Sequence, residues 1–227
     1  MNAEDIRAVY ERFARTYDRG QWIAEGLFLK RLRRRLLSRI RCEGGCQVLE
    51  VGIGTGINLP YYGPSCVVSG VDLSRPMLER SMARAYRLGR QLSVETMDAE
   101  RLAFPNQTFH AVVSTLTLCT TPHPPRFLKE ISRVCRLDGR VFLLEHGMST
   151  AKPINWVLNR LAPGHLGRCA CHLTRDVAAL PEQAGLRILH RGRHLAGVFV
   201  LIEAAPRAVG TAKSVAEGVG FEPTDPG

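Results

Sequence analysis

The sequence predicts an α/β fold: a seven-stranded, mostly parallel sheet with helices on both faces, an antiparallel last strand and a helical lid ahead of it. Three observations predict it. Short apolar runs alternate with longer amphipathic stretches, the pattern of a parallel sheet covered by crossover helices. The first run ends in the glycine turn Gly52-Ile53-Gly54-Thr55-Gly56. The last two runs have no helix-length segment between them, so they are expected to pair antiparallel.

Residues 4–41 read as two helices with no strand between them. Ile6, Val9, Tyr10, Phe13 and Tyr17 give helical spacing over Asp5–Asp18. Phe28, Leu32, Leu36 and Ile40 repeat it over Phe28–Arg41, opposite Lys30, Arg31, Arg33, Arg34, Arg35, Arg39 and Arg41. Strands are expected at Cys46–Val51, Cys66–Val71, Leu92–Thr96, Phe109–Ser114 and Arg140–Glu145. Between them, Ser74 caps a helix over Pro76–Leu88, and Pro125–Cys135 forms another. Thr174–Ala184 reads as a helix that Pro181 kinks or shortens, followed by strands at Leu186–Arg191 and Gly197–Ala204. Three regions result: residues 1–45, a helical lid and basic helix; 46–205, the α/β domain; and 206–227. The last has no periodicity and is expected to be disordered.

Composition narrows the function classes. No run of about 18 apolar residues exists, which argues against a transmembrane helix. The opening Met-Asn-Ala-Glu-Asp lacks the layout of a secretion signal. Seven cysteines without paired spacing do not form a disulfide framework and read as reduced thiols, so a cytoplasmic location is expected. The net charge of +10 favours an anionic partner.

The glycine turn carries the first chemistry. A strand ending in Gly52-x-Gly54-x-Gly56 turns sharply into a ligand site, because glycine tolerates positive φ and lets a ligand approach the backbone. Asp72 stands 20 residues beyond Gly52 at the end of the second strand, where an acid can accept from both ribose hydroxyls of an adenosine. Dinucleotide sites use G-x-G-x-x-G and place a pyrophosphate at a helix N-terminus. Here the spacing is G-x-G-x-G, and Glu50 would repel a pyrophosphate. The same acid suits the cationic methionine end of S-adenosylmethionine. Asp98, after the third strand, stands where it can accept from an adenine amino group, a role favoured here over the competing one of an ordinary helix N-cap.

Val48-Leu49-Glu50-Val51-Gly52-Ile53-Gly54-Thr55-Gly56, Gly70-Val71-Asp72-Leu73-Ser74 and Met97-Asp98-Ala99-Glu100 resemble successive motifs of the class I S-adenosylmethionine-dependent methyltransferases, within the type 11 domain. That resemblance implies a Rossmann-like fold. It also implies that Glu50, Gly52, Gly54, Gly56, Asp72, Leu73, Asp98, Ala99 and Thr115 bind the cofactor. Gly56-Ile57-Asn58-Leu59-Pro60-Tyr61-Tyr62, Leu144-Glu145-His146 and Cys171-His172-Leu173-Thr174-Arg175-Asp176 resemble one branch of the family. It includes soluble bacterial phosphatidylethanolamine N-methyltransferases and animal membrane-associated thiol methyltransferases. Tyr10 through Asp18 is similar to a cofactor lid of quinone-methylating relatives. Two positions depart from the pattern: His110 replaces an aspartate, and Asp138-Gly139-Arg140 replaces a Pro-Gly-Gly turn.

The acceptor side is expected at the C-terminal ends of the fourth and fifth strands. His146, His172 and Tyr17 are the candidate catalytic residues, with Thr117, Cys119 and Glu145 nearby. A structural histidine bonded to backbone explains His146 equally well. Cys169-Ala170-Cys171-His172 has no second ligand cluster at suitable spacing, so no metal site is expected. The basic helix over residues 28–41 suits an interfacial helix on anionic lipid, peripheral on the inner membrane face. A stripe that simply packs on the domain is the competing explanation. The segment has no interleaved aromatics for stacking on bases, which argues against nucleic acid. Three functions remain open: methylation of a lipid headgroup amine or other small acceptor, a quinone C- or thiol methyltransferase, and a non-catalytic cofactor-binding module.

Overall fold

The computed structural model describes residues 1–41 and 44–207, so the expectation of disorder over most of 206–227 falls outside the described residues. Its sheet has seven strands: β1 (Cys46–Val51), β2 (Cys66–Asp72), β3 (Leu92–Thr96), β4 (Phe109–Thr115), β5 (Cys135–His146), β6 (Arg187–His194) and β7 (Phe199–Ala205). Their spatial order is β3-β2-β1-β4-β5-β7-β6. β1 to β5 pair in parallel, and β7 inserts antiparallel between β5 and β6. The expected fold class is therefore the observed one. The central strand β1 reads Cys-Gln-Val-Leu-Glu-Val and is buried on both faces, as a parallel strand between helix layers must be.

Helices cover the two faces and divide the core. Against one face, α5 (Pro124–Val134) buries Phe127, Leu128 and Ile131 on Leu49, Val112 and Ile202. Against the other, α3 (Lys30–Leu37) and α4 (Arg75–Arg87) bury Leu32, Leu36 and Leu78 on Val48, Val113 and Phe142. The chain runs β1, β2, β3 outward, then returns to place β4 on the other side of β1. That reversal opens a crevice beyond the C-terminal ends of β1 and β4, the usual ligand position in an open α/β sheet.

The N-terminal helices differ from expectation. The first helix, α1 (Ala3–Phe13), stops short, and a second helix, α2 (Tyr17–Ala24), runs through a π-helical turn (Glu25–Leu29) into α3. The break follows from two anchors. Ile6 and Val9 bury against Ala170, whereas Asp18 accepts from Thr55 Oγ1 (2.6 Å) and pairs with Arg84 (2.7 Å) and Arg80 (3.3 Å).

The apolar stripe of the basic helix packs into the domain core, so it is not a free face for lipid. α6 (Lys152–Cys169) was not foreseen, because it buries no residue and shows no core-facing stripe. Only Leu180–Gln183 of the expected helix over 174–184 forms (α7), with Pro181 in its first turn. Arg175 instead reaches back to the Leu118 and Thr121 carbonyls at 2.6 and 2.9 Å.

The two departures from the family pattern meet in space. His110 Nδ1 accepts from Gln47 N–H (3.1 Å), a bulge lies between Phe109 and Ala111, and a Cβ on Gly139 would press on the His110 carbonyl. Cys119, Cys135 and Cys171 are buried thiols, but Cys46 is disulfide-bonded, unlike the reduced state expected for all seven.

Candidate active site

Two adjoining cavities occupy the crevice, and both are lined by Tyr17, Gly52, Gly54 and Thr115. The larger, about 720 Å³, adds Asp72, Leu73, Met97, Asp98, Ala99, Leu116 and the lid residues Ile6 and Tyr10. The smaller, about 260 Å³, adds Arg33, Glu50 and Asn58. Of the residues expected to bind cofactor, only Gly56 lines neither; it packs against Leu59 and Ser81.

The glycine turn shapes the junction. Gly52 has φ of +70°, and a Cβ there would overlap the Thr117 side chain, so β1 and the loop after β4 can approach only at a glycine. Gly54, with φ of +55°, has no atom within 4 Å of a Cβ and leaves that space to a ligand. Its N–H donates to Asp72 Oδ2 at 2.9 Å, while Ser74 N–H donates to Oδ1 at 2.9 Å. Burial raises the Asp72 carboxyl above its ordinary range, opposed by these backbone donors. Asp98 lines the cavity and also accepts from Glu100 N–H (2.9 Å), so its local turn role and its cavity position coexist.

The smaller cavity contains a polar network that sequence reasoning missed. Arg33 was expected on a solvated basic face, yet only 4% of it is exposed. Its guanidinium donates to Glu25 (2.8 Å), Asn58 Oδ1 (3.0 Å) and Thr115 Oγ1 (2.7 Å). Asn58 in turn donates to Glu50 (2.6 Å), which also accepts from the Tyr62 hydroxyl (2.8 Å). A buried cation and a buried carboxylate thus flank one small space. Burial pushes Glu50 from its ordinary 4.5 up to about 7, against the Tyr62 and Asn58 hydrogen bonds and the Arg33 charge.

A pH dependence follows. Folded Glu50 holds a proton between about 4.5 and about 7 that the unfolded chain releases, so its stabilisation is complete below about 4.5 and lost as pH rises through about 7. Thermal melts of ligand-free protein from about pH 5 to about pH 8 should show that loss, and Glu50→Gln should flatten the slope. An unchanged slope in the variant would contradict it.

The lid closes the larger cavity. The Tyr10 and Tyr17 rings lie 6.3 Å apart, and Tyr10 donates to the Cys169 carbonyl at 3.3 Å. Burial pushes the Tyr17 phenol up to about 12, which keeps it protonated at neutral pH and unsuited to act as a base. His146 and His172 line neither cavity. His146 Nε2 sits 2.9 Å from Cys171 Sγ, and His172 N–H donates to the Cys119 carbonyl at 3.0 Å. Glu145 is fully buried, with Oε1 accepting from Ser114 (3.0 Å) and Thr117 N–H (3.3 Å). Burial pushes it up to about 7.

Residues 49–143 match the family model described as a methyltransferase domain. The phosphatidylethanolamine N-methyltransferase of Cereibacter sphaeroides is 34% identical over 164 residues, covering 71% of this chain and 78% of that protein. The chain belongs to the S-adenosylmethionine-dependent methyltransferases. A human thiol S-methyltransferase is 32% identical over 148 residues, 63% of this chain and 60% of its own length. Among solved structures, a possible histamine N-methyltransferase from Thermotoga maritima superposes with a TM-score of 0.66 at 19% identity, covering 89% of this chain and all of that one. A geranyl diphosphate methyltransferase solved with sinefungin gives 0.64 at 18% identity, covering 78% of each chain. The methyltransferase takes its methyl group from S-adenosylmethionine. None of its described helices is long and apolar enough to cross a membrane.

Proposed function

We propose that this methyltransferase acts on the headgroup amine of a phospholipid, drawn from an anionic membrane surface at the cytoplasmic face. The outer side of the lid helix carries the proposal. Trp22, Ile23 and Leu27 are 67%, 57% and 77% exposed, and exposed Lys30, Arg31 and Arg34 continue along the same side. Tyr17, on the same run of helix, lines the cavity. An apolar ridge beside a cationic row suits insertion at the headgroup level. The similarity to a phosphatidylethanolamine N-methyltransferase favours an amine as the acceptor.

Bound S-adenosylmethionine supplies an electrophilic methyl group on a sulfonium sulfur. The polar groups present fit it: Asp72 would accept from the ribose hydroxyls, Asp98 from the adenine amine and Glu50 from the ammonium of the methionine end, while Arg33 would donate to its carboxylate. Gly52, Gly54, Leu73, Ala99 and Thr115 shape the contact surface. Ile6, Tyr10 and Tyr17 exclude water and align the acceptor, and alignment contributes most to an in-line displacement. Tyr17 serves as a protonated hydrogen-bonding group. His146, whose ring meets Cys171, and His172, whose N–H donates to the Cys119 carbonyl, lie outside the cavity lining and serve as positioning residues for the two cysteine loops.

Vesicle flotation tests the docking surface. The parent chain should float with anionic vesicles. Lys30→Glu/Arg31→Glu/Arg34→Glu should bind about a hundredfold more weakly, at about 1 kcal/mol for each basic residue lost. A parent that ignores anionic vesicles would overturn the docking helix.

A further inference from the structure

Next to Thr120 and Thr121 of the larger cavity lies a side-chain cluster, none of whose members lines that cavity. Cys119 from the loop after β4, His146 from the end of β5 and Cys171 from the loop after α6 converge there. Their two sulfurs and one ring nitrogen all lie within 4.8 Å of one another. Both thiols are buried, 1% and 4% exposed. We infer that Cys119, His146 and Cys171 form a binding site for a thiophilic divalent cation, of which zinc is the natural choice.

Three observations support a prebuilt site. The two cysteine loops are tied together by the His172 N–H to Cys119 carbonyl bond (3.0 Å). Arg175 clamps the first loop from the second through the Leu118 and Thr121 carbonyls. Ala170, immediately before Cys171, takes the left-handed conformation (φ +54°) that ends α6 and turns the next side chain inward. The donor set is chemically suited as well. Zinc–sulfur bonds of about 2.3 Å and zinc–nitrogen bonds of about 2.1 Å in tetrahedral geometry put donor atoms roughly 3.5–3.8 Å apart, within reach of small side-chain shifts here. Two thiolates and a neutral imidazole balance the charge of the dication, and two thiol protons leave to solvent on binding. Three protein ligands leave one tetrahedral position open. Sequence spacing hides the site because its ligands stand 27 and 25 residues apart, far from any C-x-x-C arrangement.

Cadmium and zinc titrations of the full-length protein, pre-washed with chelator under mild reductant, test the inference without reference to activity. Cadmium should give one equivalent of thiolate charge-transfer absorption, and zinc should compete for the same site. Loss of an outer partner of a metal site costs about 10–100-fold, so Cys119→Ser or Cys171→Ser should weaken binding by about 100-fold or more. Cys169→Ser, outside the cluster, should bind as the parent does. Circular dichroism melts identify any variant that fails to fold, and His146→Gln then provides a second ligand deletion. Absence of binding overturns the site, as does binding that survives the Cys119→Ser/Cys171→Ser double variant. A Cys119–Cys171 disulfide formed in preference to metal uptake also overturns it.

Discussion

Replacing Asp72 by alanine should weaken S-adenosylmethionine binding by about a hundredfold or more. The carboxylate accepts from Gly54 and Ser74 N–H groups, and so fixes the glycine turn as well as facing the cavity. A hydrogen bond to a charged group contributes about 1.5–3 kcal/mol, and the ribose provides two hydroxyls. Losing about 3 kcal/mol is already more than a hundredfold in affinity. Calorimetric titration checks it, with Asp72→Asn as the shape-preserving control. The asparagine retains an acceptor for one N–H but not the charge, so it should fall between parent and alanine. A cofactor affinity unchanged in Asp72→Ala would remove Asp72 from the site.

The second large effect is on stability. Arg33→Met should destabilise the fold by about 3–5 kcal/mol, the cost of breaking a buried ion pair from one side. It leaves Glu25 without its cation and takes donors from Asn58 and Thr115. Arg34→Met, one residue on and exposed, should change stability by less than about 0.5 kcal/mol. Denaturant unfolding of the two variants makes the comparison directly. Arg33→Met should also weaken cofactor binding, because among the described residues it removes the one cation lining the smaller cavity. Equal effects of the two substitutions would mean that Arg33 is a surface residue after all.

These residues also show where the sequence was informative. Strand β1, its glycine turn and Asp72 were legible because each obeys a local rule: an apolar run, a positive-φ turn, a fixed step to the next strand end. Arg33 was illegible because periodicity gives an angle around a helix and nothing about depth. Arg33 stands midway between Leu29 and Leu37 at i, i+4 spacing, on the same buried side as Leu32 and Leu36, whereas Arg34 and Arg35 face solvent. α6 escaped notice for the opposite reason: with no buried residue, it has no stripe to detect. His146 stands at the end of β5 and His172 in the loop after α6. Their distance from the cavity depends on the paths of the loops around Cys119 and Cys171, which no local pattern encodes.

The most direct test of the acceptor follows the methyl group itself. Purified enzyme receives methyl-labelled S-adenosylmethionine together with anionic vesicles containing phosphatidylethanolamine, a quinone pool and a thiol pool. Label should appear in methylated phosphatidylethanolamine, be lost in Asp72→Ala and be reduced in Lys30→Glu/Arg31→Glu/Arg34→Glu. Label confined to the thiol or quinone products, or no turnover despite measurable cofactor binding, would contradict this.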